Sequence, residues 1–288
     1  MYYYYLSMKN IDFKKYSRFF AFGCSFTQYS WPTWADIISK EINESYNYGR
    51  CAAGNFFIFQ ALMEAIVKHK INKNDLVMIM FSNVTREDRF TKKRGWITPG
   101  NLYSQEEYDE KFLKNYLCDH GYLMRDLNLV HGCKLALDSI NCDYEFMSMV
   151  PFHSKKSDDQ NMTDVDYLLD FYKETIDIVH PSVLETIFDG DWNKRKPRPS
   201  YKVHWQKENF VDNHPTPKEH LLYLENIFPG TVFSQESLDY VEDSTRLVLS
   251  NQYTEDTYIT DLTPRLGHDF TDPNFKWNPN TTKIKIKK

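Results

Sequence analysis

An α/β fold, with a parallel sheet between layers of helices, is what this sequence predicts. Two observations carry the prediction. The runs Arg18 to Gly23 (RFFAFG) and Asp75 to Phe81 (DLVMIMF) are apolar with little polar alternation, the character of strands buried on both faces. Around them lie segments whose apolar residues recur at helical spacing, so strands and helices alternate along the chain.

The first strand stops abruptly at Gly23-Cys24-Ser25. Pro32 then opens a helical stretch in which Trp34, Ile37, Ile38 and Ile42 recur. Tyr46 to Tyr48 suits a second short strand, and Asn55 to His69 a helix after Gly49 and Gly54. Asp75 to Phe81 is the strongest strand signal. Gln105 to Ile140 reads as helical, Tyr144 to Val150 as a strand ended by Pro151, and Val165 to Val179 as an amphipathic helix. Asp189 to Phe210 is polar, basic and proline-containing, which points to an irregular loop. A helix resumes from Pro217 to Phe228. Beyond Pro229 the pattern weakens, Tyr240 to Tyr258 is mixed, and Asp261 to Lys288 has the composition of an extended or partly disordered tail. The expected division is one α/β domain over 1–230 and a partly irregular C-terminal extension over 231–288.

Bulk properties narrow the function. The net charge is −5 and the basic residues are scattered, so no cationic stripe marks a nucleic-acid partner. No stretch approaches the ~20 apolar residues of a membrane span. The aromatic amino terminus lacks the layout of a signal peptide and is expected to pack on the domain. Five cysteines, an odd number with no CxxC pair, argue against a disulfide framework or a zinc site and for a reducing, cytoplasmic setting.

Four segments could carry chemistry. Ser25 follows the first strand, where an open α/β sheet binds its ligands. Its hydroxyl would face the cleft and its N–H could meet an anion, although a turn or N-cap serine looks the same. Gly54 precedes a helix and lets a backbone N–H approach an oxyanion; two loop glycines would look alike, and Gly49 is read as such. Asn83 follows the strongest strand, where its amide could donate to an oxyanion or cap a turn. Asp212 and His214 stand just before a helix; the imidazole could take a serine proton and the carboxylate could orient it.

In this order Ser25, Gly54, Asn83 and His214 resemble the four blocks of the SGNH hydrolases (GDSL-type esterases) over roughly residues 18–228. The similarity is greatest to a branch with Gly-Cys-Ser-Phe-Thr followed by Trp-Pro, here Gly23 to Thr27 and Trp31-Pro32. That branch is found in phages, viruses and aquatic bacteria, so a viral chain would be expected in the host cytoplasm. The resemblance implies a flavodoxin-like three-layer α/β/α sandwich and hydrolysis of acyl esters such as O-acetyl groups on carbohydrates. It implies Ser25 as nucleophile, His214 as base and Asp212 as its partner, with Ser25, Gly54 and Asn83 forming the oxyanion hole. No metal or cofactor is needed. Three positions differ from the family pattern. Cys24 stands where the family name has Asp, Phe81-Ser82-Asn83-Val84 replaces Gly-x-Asn-Asp, and Asp212 is two residues before His214 rather than three. His220 and His204 are the fallback bases.

Arg86, Trp192 and Trp205 are the candidate substrate contacts. The last two flank the basic run Lys194-Arg195-Lys196, which is either a solvated loop or a lid stacking aromatics on sugar rings. Cys24 is expected to point toward the core. Asp158-Asp159, Asp189 and Asp191 lack a metal-ligand spacing and are expected to be solvated loop carboxylates. Two other functions share these residues. A glycan O-acyltransferase would transfer the acyl group with little hydrolysis, and an inactive binding module would not react with a fluorophosphonate at Ser25.

Overall fold

The computed structural model describes residues 10–92, 95–102, 108–152, 162–192 and 214–250. Its centre is a parallel four-stranded sheet of β1 (Arg18–Gly23), β2 (Glu44–Asn47), β3 (Asp75–Phe81) and β4 (Asp143–Ser148), in the order β2-β1-β3-β4. Register runs from Arg18 opposite Asp75 to Gly23 opposite Met80, and from Leu76 opposite Asp143 to Phe81 opposite Ser148. All seven residues of β3 are buried, which is why it reads as an unbroken apolar run. Its one charge, Asp75, sits at the amino end in a bidentate pair with Arg18 (Nε to Oδ1 2.8 Å, Nη2 to Oδ2 2.7 Å).

Helices cover the sheet in two groups. One comprises α1 (Trp34–Ser39), α7 (Val183–Phe188), α8 (Pro217–Ile227) and α9 (Gln235–Leu249), which pack on one another. The other comprises α2 (Asn55–His69), α4 (Asp119–Ser139), α5 (Met162–Phe171) and α6 (Lys173–Ile176). The expected α/β fold with a central parallel sheet is therefore present. Strand order reverses between β1 and β3, because the chain leaves β1 toward β2 and leaves β3 toward β4. The crevice at such a reversal is where an open α/β sheet binds ligands. Where a fifth strand would lie beside β4, there is a single parallel bridge between Phe146 and Val179, with the His180 N–H donating to the Phe146 carbonyl at 2.8 Å.

Several elements differ from the sequence expectation. The helix expected over Val165 to Val179 divides into α5 and α6, with Val179 in the bridge to Phe146, and α7 was not foreseen. The helical stretch of Gln105 to Ile140 divides into α3 (Glu110–Tyr116) and α4, separated by the extended residues Leu117 and Cys118. Asp109 caps α3 by accepting the Phe112 N–H at 2.7 Å, and Asp119 places a carboxylate in the first turn of α4. A hairpin of two further strands, Arg89–Thr91 and Gly95–Ile97, was not foreseen, and Trp96 anchors it against Phe57. The mixed segment after Pro229 contains α9, a regular helix capped by Ser234. It lies on α1 and α8, with Leu238, Val241, Thr245 and Val248 at helical spacing on its inner side. Among the described residues no helix is long and apolar enough to cross a membrane.

Candidate active site

Ser25 owes its place to Gly23. A Cβ on Gly23 would lie 2.0 Å from Thr27 Oγ1 and 2.9 Å from the Met80 carbonyl, so only glycine lets β1 turn here. The turn closes when the Cys24 carbonyl accepts the N–H groups of Thr27 (2.9 Å) and Gln28 (3.1 Å). The Thr27 carbonyl is held in turn by Thr33 Oγ1 and Asn47 Nδ2, both at 2.8 Å, which tie the turn to α1 and to the end of β2. Cys24 points into the core, where its Sγ lies 3.6 Å from Met149 Sδ.

The chain brings His214 to Ser25 from 189 residues away, with Nε2 2.8 Å from Oγ. His214 sits just ahead of α8, whose start is fixed by Thr216 and Glu219 in a reciprocal capping box and by Pro217 in the first turn. Two aromatic rings pack against the imidazole. Tyr29 stacks on it with centroids 3.7 Å apart and planes at 19°, and Phe26 meets it edge-on at 5.4 Å. Trp192 packs edge-on against Phe26 at 5.9 Å and against Phe188 at 5.2 Å. The fallback base His220 is buried against Phe26 and is not the ring at Ser25. Asp212, Trp205, His204, Asp158-Asp159 and the basic run around Arg195 lie outside the described residues.

The three oxyanion candidates fare differently. The Ser25 backbone N–H has no acceptor among the described residues. Asn83 follows β3, the strand beside β1, and its Oδ1 accepts the Thr85 N–H (3.0 Å) and hydroxyl (3.1 Å). That leaves Asn83 Nδ2 without an acceptor among the described residues. The Gly54 N–H, by contrast, donates to Asp88 Oδ1 at 2.9 Å. Asp88 Oδ2 takes the Phe57 N–H, also at 2.9 Å, so this buried carboxylate caps α2 from outside the helix.

Arg86 is turned to protein groups. Its Nη1 donates to the Ala53 carbonyl at 2.7 Å and its Nη2 lies 3.7 Å from Met149 Sδ. A polar network fixes the loop after β3. Asn55 Nδ2 donates to Asp126 Oδ2 (2.7 Å) and to the Ser82 carbonyl (3.1 Å), and its Oδ1 accepts the Ser82 N–H (2.8 Å). Arg125 reaches Asp126 (2.7 Å), Glu87 (3.0 Å) and the Arg86 carbonyl (2.8 Å). Burial pushes Asp88 up to about 6, against the pull of the Phe57 and Gly54 N–H groups and of Arg125 and Arg86. Burial likewise pushes Asp126 up to about 6, opposed chiefly by Arg125.

Sequence reading missed Asp88, Asp126 and Tyr29, and noted Asn55 only as the neighbour of Gly54. Asp88 and Asp126 do their work on segments remote in the chain, so no local pattern marks them. Tyr29 stands two residues before the Trp31-Pro32 pair and was the more accessible of these to inspection. Among the described residues no group of three or more His, Cys, Asp or Glu could hold a metal ion.

No protein-family model matches the chain, and no curated protein does. Among solved structures, one of a "putative acylhydrolase" from Bacteroides fragilis is similar at 12% identity and a TM-score of 0.34, over 86% of this chain and 93% of that one.

Proposed function

We propose that the chain is a serine esterase of the SGNH type, acting on acyl esters of a carbohydrate or small molecule. The observation that carries this reading is the 2.8 Å separation of Ser25 Oγ and His214 Nε2 at the strand-order reversal of a parallel sheet. With the ring proton on Nδ1, Nε2 accepts the Ser25 proton as Oγ bonds to the acyl carbon. The carbonyl oxygen becomes an oxyanion, held by the Ser25 N–H and Asn83 Nδ2. Collapse breaks the ester C–O bond, and the departing alkoxide takes the proton from His214. Water then gives a proton to His214 as its oxygen bonds to the acyl carbon; collapse breaks the acyl C–Oγ bond and releases the acid, and Ser25 Oγ takes the proton back from His214. Asp212 would steady the imidazole during both steps. Gly54 joins the oxyanion hole only if Asp88 lets its N–H go.

A fluorophosphonate probe tests the reading directly. Wild-type chain should be labelled at Ser25 and should hydrolyse p-nitrophenyl acetate, and Ser25→Ala should do neither. Absence of labelling together with hydrolysis equal to the Ser25→Ala background would overturn it.

A further inference from the structure

The imidazole at Ser25 is gripped by the same short segment that carries the nucleophile. Tyr29 lies flat on the His214 ring at 3.7 Å. Trp31 meets Tyr29 edge-on at 4.7 Å and is itself buried, 2% exposed, with Val248 of α9 packed on it. Its indole Nε1–H donates to the carbonyl of Pro215, the residue after His214, at 2.7 Å. Thr245 of α9 adds a second tie, accepting the Lys218 N–H at 3.0 Å in the first turn of α8. One aromatic therefore fixes the plane of the ring and another fixes the backbone that bears it.

We infer that Tyr29 and Trp31 are positioning residues for His214, holding Nε2 within reach of Ser25 Oγ. The inference rests on the esterase reading for its catalytic consequence. The physical need is plain. A histidine ring turns in a broad torsional well about χ2, and each swing carries Nε2 away from the hydroxyl. Stacking against a fixed ring removes that freedom before substrate arrives. The Pro215 contact matters for a related reason, since a shift of the backbone moves the whole imidazole. Neither residue makes or breaks a bond or carries a proton in the proposed reaction, so the effect should appear in turnover and not in substrate affinity.

The test uses the full chain with Tyr29→Leu, Tyr29→Phe and Trp31→Phe. Hydrolysis of p-nitrophenyl acetate supplies kcat and KM, and the His214 ring proton resonances, assigned by their loss in His214→Gln, report stacking. Tyr29→Leu should lower kcat about tenfold or more while KM stays within about twofold, because small misplacements of a catalytic group are costly. Its His214 resonances should move downfield as the ring current is lost. Tyr29→Phe restores the stacked ring and should recover most of kcat and the original resonances. Trp31→Phe, which keeps an aromatic ring and removes the N–H, should fall between. Unmoved resonances in Tyr29→Leu would overturn the inference, and so would moved resonances with kcat within twofold of wild type. If wild-type Ser25 is unreactive and His214→Gln changes nothing, the esterase reading fails. The catalytic part of the inference falls with it, while unmoved or moved resonances still decide whether Tyr29 holds the ring.

Discussion

Gly54 gives its backbone N–H to the carboxylate of Asp88, 34 residues further along the chain, at 2.9 Å. The same carboxylate takes the Phe57 N–H, so the first turn of α2 is closed by a residue from the loop after β3. The approach is tight, because a Cβ on Gly54 would stand 2.7 Å from Asp88 Oδ2 and 2.8 Å from Arg86 Cβ. Asp88→Ala leaves two buried donors without an acceptor and should cost about 1–3 kcal/mol in urea unfolding. Gly54→Ala should destabilise for the opposite reason, by forcing the two segments apart. Unchanged urea midpoints in both variants would mean that this contact contributes nothing to stability.

Ser25 and His214 can be separated from the fold that presents them. Replacing either member of such a pair typically removes most of the rate enhancement, so Ser25→Ala and His214→Gln should each lower kcat by roughly 10⁴-fold or more. Ser25→Ala removes one oxygen from a turn held by its neighbours' backbone bonds, so its melting temperature should stay close to wild type. Combining the two should cost little beyond either alone, because they act as a unit. Additive losses would show that His214 serves some other step.

The two ends of the Asn83 amide can be tested apart. Its Oδ1 holds a local turn through Thr85, and its Nδ2 is the proposed oxyanion donor. Asn83→Ala removes both, and the loss of one oxyanion donor is expected to cost ~3 kcal/mol of transition-state stabilisation. Asn83→Asp is the sharper variant. It keeps an acceptor for Thr85 and replaces the donor by a second acceptor, so kcat should fall as far as in Asn83→Ala with less change in melting temperature. If Asn83→Asp turns over normally, the amide plays no part in the site.

The strands β1 and β3 were legible because a strand buried on both faces shows as an apolar run, and the nearby Gly23 marks where the first one ends. The junction of Ser25 with His214 was legible only through the order of four motifs, since nothing in spacing alone says that residues 189 apart meet. The hairpin at Arg89–Thr91 and Gly95–Ile97 was not, because strands of three residues are too short to show alternation. Helix α9 escaped notice because its inner stripe of Leu238, Val241, Thr245 and Val248 includes a threonine and is outnumbered by polar residues. Asp88 was invisible for a deeper reason. A carboxylate that caps a distant helix has no local signature, and its residue type is equally suited to a solvated loop.

The buried carboxylate of Asp88 also sets a pH dependence. Burial raises its pKa from the ordinary 3.8 to about 6, so between these values the folded chain binds a proton that the unfolded chain has released. Stability from this group is therefore fully present below about 4 and is lost as pH rises through about 6. Asp88→Asn removes the titration while keeping the shape of the side chain. The difference in unfolding free energy, wild type minus Asp88→Asn, should thus decrease between pH 4.5 and pH 7 by about 1–2 kcal/mol. Neighbouring Asp126, also pushed up to about 6, sharpens the argument, since ionising one carboxylate makes ionising the other harder. A difference that grows with pH would reverse the sign, and would mean that the two backbone N–H groups hold Asp88 ionised despite its burial.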